Sequence, residues 1–142
     1  MGVPLPIDDI RPDLEQAWRR HPNFILQAPT GSGKSTRVPR FLMQWDGFPP
    51  GSTVLILQPR RMAARLLARR VASELGEAPG RTAGYRIRFE AAAGKETRLL
   101  YVTEGLLLRR LALGEDLEGV GAILFDEFHE RHLEGDVALG LA

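Results

Sequence analysis

The chain has 142 residues, 44% apolar and 26% charged, with a net charge of +1, a composition that suits one folded domain and excludes a disordered or low-complexity chain. It has no cysteine for a disulfide framework or thiolate metal site, and no apolar run of the roughly 18 residues that a membrane span needs. Asp8 and Asp9 stand where a leader would be basic and then apolar, so a cytoplasmic location and no membrane partner are expected.

In chain order, residues 12–20 read as a helix that Pro22 ends, because proline disfavours the α region at the residue before it. Residues 24–28 form an apolar strand, and residues 34–45 a helix with Pro39 inside it, where a backbone donor is lost and a kink is expected. After the loop Pro49-Pro-Gly-Ser52 come a strand at 53–58 and a helix at 61–75. A strand at 98–103, a helix at 104–113, a strand at 120–126 and a closing helix complete the alternation. Such alternation predicts an α/β fold, a mostly parallel sheet with helices on both faces.

One segment breaks the rhythm. In Gly84-Tyr-Arg-Ile-Arg-Phe-Glu90, Tyr85, Ile87 and Phe89 alternate with Arg86, Arg88 and Glu90, the period of a half-exposed strand. Too few residues separate it from the strand at 98–103 for a parallel crossover, so pairing between the two is expected to be antiparallel. Its charged face reads either as a solvated sheet edge or as a ligand surface through Arg86 or Arg88.

Two motifs carry the chemistry. Ala28-Pro-Thr-Gly-Ser-Gly-Lys-Ser35 lies between a strand and a helix, the setting of a phosphate-binding loop. There, glycines let backbone N–H groups point at phosphate oxygens, Lys34 reaches the β- and γ-phosphates, and the Ser35 hydroxyl ligates Mg²⁺. Ile123-Leu-Phe-Asp-Glu-Phe-His129 ends an apolar strand in two carboxylates, at the end of the strand where α/β sheets bind ligands. Asp126 is placed to hold Mg²⁺ and Glu127 to orient and deprotonate the attacking water. The pair reads as a Mg-nucleotide site.

The run Gln58-Pro-Arg-Arg-Met-Ala-Ala-Arg-Leu-Leu-Ala-Arg-Arg70 is the most basic. On a helix Arg61, Arg65 and Arg69 form one stripe and Ala63, Leu67 and Val71 another. Arg60 and Arg61, at a strand's carboxyl end, are best placed to contact phosphates, while a solvated helix face equally accounts for Arg65 and Arg69.

These motifs, with Val102-Thr-Glu-Gly105 between them and Asp126-Glu-Phe-His-Glu-Arg131 at the end, resemble in residues and order the DEAH/RHA helicases of superfamily 2. Phe128 in place of alanine makes the likeness strongest to the HrpB-type helicases. The resemblance runs from about Pro12 to the C-terminus. It implies a RecA-like P-loop NTPase domain over residues 1–142 that uses ATP or another NTP with Mg²⁺ and moves along RNA.

Carried over residue by residue, the resemblance makes Thr30, Gly31, Ser32, Gly33, Lys34, Ser35 and Thr36 the phosphate loop, and gives Asp126 and Glu127 to Mg²⁺ and the hydrolytic water. His129 would couple the nucleotide to a second RecA-like domain. Arg60, Arg61, Thr103, Glu104 and Gly105 fall in nucleic-acid motifs, and Arg70 stacks on the base. The family's Ser-Ala-Thr motif, second domain and arginine finger are not in this sequence, so the fold is expected to be C-terminally incomplete and unable by itself to translocate or to hydrolyse fast.

Two other classes stand beside this reading. A non-catalytic module would capture nucleotide, RNA or a partner without turnover, and an unrelated P-loop kinase would leave the arginine motifs unexplained. His129 and His132 lack the four-residue spacing that zincins use.

Overall fold

The computed structural model describes residues 5–21, 23, 25–26, 32–114 and 119–126. A 3-10 helix at Pro6–Ile10 runs into α1 (Arg11–Arg20), which ends at His21 just before Pro22, and α2 follows at Lys34–Gln44. Then come β1 (Thr53–Gln58), α3 (Arg61–Glu74), β2 (Ala83–Ile87), β3 (Glu90–Ala92), β4 (Leu99–Thr103), α4 (Glu104–Ala112) and β5 (Val120–Phe125). The expected strand at 24–28 and the closing helix lie wholly or largely outside the described residues. Ile25 and Leu26, from that expected strand, belong to no regular element.

The sheet order is β3-β2-β4-β1-β5, parallel except for β3. The crossover β1–α3–β2 passes over β4 and the crossover β4–α4–β5 passes over β1, in opposite directions. Right-handed connections running opposite ways must put their helices on opposite faces. Two separate cores follow. Val54, Ile56, Leu99 and Tyr101 pack against Ala64, Ala68, Val71 and Ala72 of α3. Leu55, Leu57 and Val102 pack against Leu107 of α4.

Four expectations are corrected. The segment 84–90 is a hairpin and not one strand. Its chain turns at Arg88 and Phe89, so β3 runs back along β2 with Tyr85 opposite Ala92. Because the hairpin returns the chain to the starting end of β2, a short loop suffices for β4 to pair with β2 in parallel, not antiparallel. Phe89 leaves the apolar face altogether: it sits in the turn at φ 66 and is 88% exposed. Gly84 permits the close approach, since a Cβ there would run into the Ala92 carbonyl. On α3 the expected Val71 is buried and the expected Leu67 packs against the core, but the other buried positions are Ala64, Ala68 and Ala72 and not Ala63.

Pro39 lies inside α2 as expected. Lacking an N–H, it cannot bond the Ser35 carbonyl four residues back. The buried Tyr101 hydroxyl of β4 donates to that carbonyl instead, at 2.8 Å.

Candidate functional site

The phosphate-loop half is built around the N-terminus of α2. Gly33 precedes the helix in the left-handed region, φ 97, and a Cβ there would lie 2.6 Å from Leu5 Cδ1. Its carbonyl accepts the Arg37 N–H at 2.8 Å and the Thr36 hydroxyl at 3.2 Å, which closes the first turn. Among the described residues no side chain caps the helix and no acidic residue enters its first turn, so the positive end of the dipole is open to an anion. Lys34 and Ser35 are partly buried in that turn, and Thr36 is buried. Ser32 is buried, its carbonyl accepting the Ile7 N–H at 3.0 Å, and its hydroxyl has no hydrogen-bond partner among the described residues. Thr30 and Gly31 lie outside the described residues.

The acidic half is built by strand register. Gln58, Thr103 and Asp126 stand at or just past the carboxyl ends of three parallel neighbours, β1, β4 and β5, so one edge of the sheet gathers them. The Asp126 N–H bonds the Leu57 carbonyl at 3.1 Å, continuing the ladder, and the Gln58 amide donates to Asp126 Oδ2 at 2.6 Å. Burial, then the negative charges of Asp126 and Glu74, push the Tyr101 hydroxyl far above the usual phenol range. It therefore stays a hydrogen-bond donor across the working pH range. Glu127 and His129 lie outside the described residues. Among those described, no group of three or more His, Cys, Asp or Glu is placed to hold a metal ion.

Arg60 and Arg61 follow β1 at this same edge, both exposed, and Thr103 ends β4 with Glu104 and Gly105 after it, Glu104 being buried. Arg70 is exposed on α3, about 14 Å along the helix from Arg61, so the structure does not gather it with the strand-end residues.

Sequence reasoning offered Arg86 or Arg88 as a ligand surface but missed the β2–β3 turn that places Phe89 beside them. Arg88 lies with its guanidinium 4.8 Å from the centre of the Phe89 ring. A hollow of about 270 Å³ lies between the tip and α3, lined by Arg61, Met62, Arg65, Arg88 and Phe89. A second, of about 420 Å³, reaches Arg86, Leu106 and Arg109. The tip is latched to α3. The Tyr85 hydroxyl donates to Glu90 at 2.6 Å and Arg65 approaches the same carboxylate at 3.4 Å. The Tyr85 hydrogen bond, helped by the charges of Arg65 and Arg69, holds Glu90 below the usual carboxylate range. The latch is therefore complete at neutral pH and is lost as pH falls through that lowered value. The two-residue turn calls for positive φ at its second position, which Phe89 takes at φ 66 with its ring exposed.

The parallel sheet, the uncapped glycine-led helix and the carboxylate at the edge of β5 define a RecA-like α/β domain of the P-loop NTPase type. The chain belongs to the DEAD/DEAH box helicase family, which its residues 12–137 match. Over 137 residues it is 45% identical to the ATP-dependent RNA helicase HrpB of Escherichia coli strain K12, covering 96% of this chain and 17% of that protein. It also superposes on the crystal structure of the E. coli DEAH/RHA helicase HrpB with a TM-score of 0.89 at 45% identity, covering 96% of this chain and 17% of that one. For the crystal structure of the E. coli DExH-box NTPase HrpB the TM-score is 0.91 at 44% identity, with coverage of 99% and 17%. The chain thus spans about a sixth of the length of these relatives. No helix among the described residues is long and apolar enough to cross a membrane.

Proposed function

We propose that this chain is the part of an ATP-dependent RNA helicase that binds Mg-NTP and RNA. The observation that carries this reading is convergence: the strand ends bring Asp126, Arg60, Arg61 and Thr103 to one edge, and Tyr101 of β4 bonds the first turn of α2. Lys34 neutralises the β- and γ-phosphates, and Arg70 stacks on the base. Glu127 orients a water and takes its proton as the water oxygen bonds the γ-phosphorus and the bridge to the β-phosphate breaks. His129 relays the result to a second RecA-like domain, which supplies the arginine that hydrolysis needs.

The donor set fits Mg²⁺. This ion takes oxygen ligands, keeps several waters and is held by one or two carboxylates together with substrate phosphates. Ser35 through its hydroxyl and Asp126 through its carboxylate would hold it, and Gln58 fixes the carboxylate's orientation. When bound, the ion neutralises charge on the phosphate oxygens.

RNA would run along the edge across Arg60 and Arg61, the start of α4 at Thr103, Glu104 and Gly105, and the hairpin tip. Arginine contacts to phosphate make affinity salt-dependent and blind to sequence. Arg60→Ala and Arg61→Ala are each expected to weaken binding of single-stranded RNA uniformly across sequences and to lower the salt slope by about 0.7. Fluorescence anisotropy of labelled oligonucleotides at several salt concentrations checks this. At the tip, Phe89→Asn is expected to move two quantities in opposite directions. Asparagine tolerates positive φ, so stability rises by up to about 1 kcal/mol, while loss of a stacking ring weakens RNA binding by about 1–3 kcal/mol. Thermal unfolding and anisotropy on the same variant check both.

Phosphate release from Mg-ATP with and without single-stranded RNA tests the whole reading. Slow turnover that RNA accelerates supports the helicase assignment. Binding of both ligands with no turnover makes this chain a capture module. Binding of neither ligand contradicts both.

A further inference from the structure

Each strand that ends in proposed RNA contacts also turns one buried polar side chain toward the nucleotide half. On β1, Gln58 is 1% exposed, two residues before Arg60, and donates to Asp126 at 2.6 Å. On β4, Tyr101 is fully buried, two residues before Thr103, and donates to the Ser35 carbonyl at 2.8 Å. Asp126 and Ser35 are the two residues assigned above to Mg²⁺. The correspondence is one to one: each RNA strand end is bonded to one cation-holding residue.

The second link depends on a feature of α2 that otherwise only costs stability. A helix satisfies the Ser35 carbonyl from the N–H of residue 39, and here residue 39 is proline. The carbonyl next to the cation-holding hydroxyl is thereby handed from the helix to the sheet. A phenylalanine at 101 would fill the same core space beside Val54, Ile56 and Leu99 without the hydroxyl's desolvation. Gln58 likewise brings a primary amide to a position that packing alone would give to an apolar residue.

We infer that Gln58 and Tyr101 are positioning residues that couple RNA occupancy at the ends of β1 and β4 to the cation-holding groups Asp126 and Ser35. The inference rests on the nucleotide and RNA reading proposed above. A shift of either strand end moves its hydrogen-bonded partner, so each ligand changes the other's affinity by the same factor.

The test is a thermodynamic cycle on the 142-residue chain. The dissociation constant of a fluorescent ATP analogue with Mg²⁺ is measured with and without saturating single-stranded oligouridine. The unaltered chain is expected to give a ratio of about fivefold or more, within the range usual for coupled sites. Tyr101→Phe and Gln58→Met are each expected to bring the ratio toward one, whatever they do to the separate affinities.

A purely structural role is separated by the double variant Tyr101→Phe with Pro39→Ala. The alanine N–H returns a donor to the Ser35 carbonyl within the helix, so thermal stability recovers while the link to β4 stays cut. Recovered stability with the ratio still near one supports the inference. A ratio restored by Pro39→Ala, a ratio unmoved by both single variants, or no coupling in the unaltered chain overturns it. Failure of the unaltered chain to bind nucleotide or RNA at all overturns the functional reading beneath it, and is distinguished by the single-ligand titrations.

Discussion

Replacing Lys34 with alanine is expected to weaken binding of Mg-ATP by about 10–150-fold and to leave the fold intact. The factor follows from removing charge-assisted hydrogen bonds to phosphate, about 1.5–3 kcal/mol in all. The fold survives for local reasons. Lys34 is the first residue of α2 and only partly buried, alanine is a strong helix former, and a cation at a helix N-terminus opposes the dipole. Glu127→Gln should behave in the opposite way, keeping nucleotide affinity and stopping turnover, because it removes the proposed base and leaves the proposed phosphate contacts. Equilibrium titrations of both variants, each with a thermal unfolding curve, check the pair. Retained tight binding in Lys34→Ala would sink the phosphate-loop assignment.

The largest expected loss of stability lies at Glu74, the last residue of α3, which faces two buried arginines of α2. Its carboxylate sits 3.9 Å from the guanidiniums of both Arg37 and Arg40, whose side chains are only 3% and 6% exposed. Arg37 also pairs with Asp8, whereas Nε and Nη1 of Arg40 have no hydrogen-bond partner among the described residues. Removing Glu74 strands a buried cation, at a cost of about 3–5 kcal/mol. Against a total stability of about 5–15 kcal/mol, that lowers the unfolding temperature of a domain this size by roughly 10 °C. Glu74→Gln is the variant to use, since it keeps volume and removes charge. Arg40→Met in the same chain should recover most of the loss, because it removes the cation that Glu74→Gln leaves buried and unpaired. An unfolding temperature within a few degrees of the unaltered chain's would contradict this.

Much of the fold was legible in the sequence where the pattern is local. The apolar run from Thr53 to Gln58 is bounded by turn residues and Pro59, and its ends fall where β1 begins and stops. The starts of α2, α3 and α4 were equally readable, each placed by the strand or loop before it. The hairpin was not, because its turn carries none of the usual signs. Period-two alternation runs straight through Arg88, and the residue that takes positive φ is Phe89 rather than glycine or asparagine. The apolar stripe of α3 was read correctly at Leu67 and Val71 but missed Ala64, Ala68 and Ala72, because alanines fill two adjacent faces and leave the pattern ambiguous.

At the site, the motifs fixed residue identities but not the bonds among them. Gln58 meets Asp126 across 68 positions and Tyr101 meets Ser35 across 66, distances over which no periodicity carries information. The ionic cluster at Glu74 is hidden for the same reason. Arg37 and Arg40 read as ordinary charges on a helix, and only tertiary packing buries them. Thr30, Gly31, Glu127 and His129, which the motifs alone propose for the site, lie outside the described residues.

The measurement that bears most directly on the central claim is equilibrium binding of a fluorescent ATP analogue to the unaltered 142-residue chain, with Mg²⁺ and again with the metal chelated. A site built from Lys34, Ser35 and Asp126 predicts saturable binding at one nucleotide per chain that weakens when Mg²⁺ is removed and is displaced by unlabelled ATP. Absence of saturable binding, or binding indifferent to Mg²⁺, would contradict it.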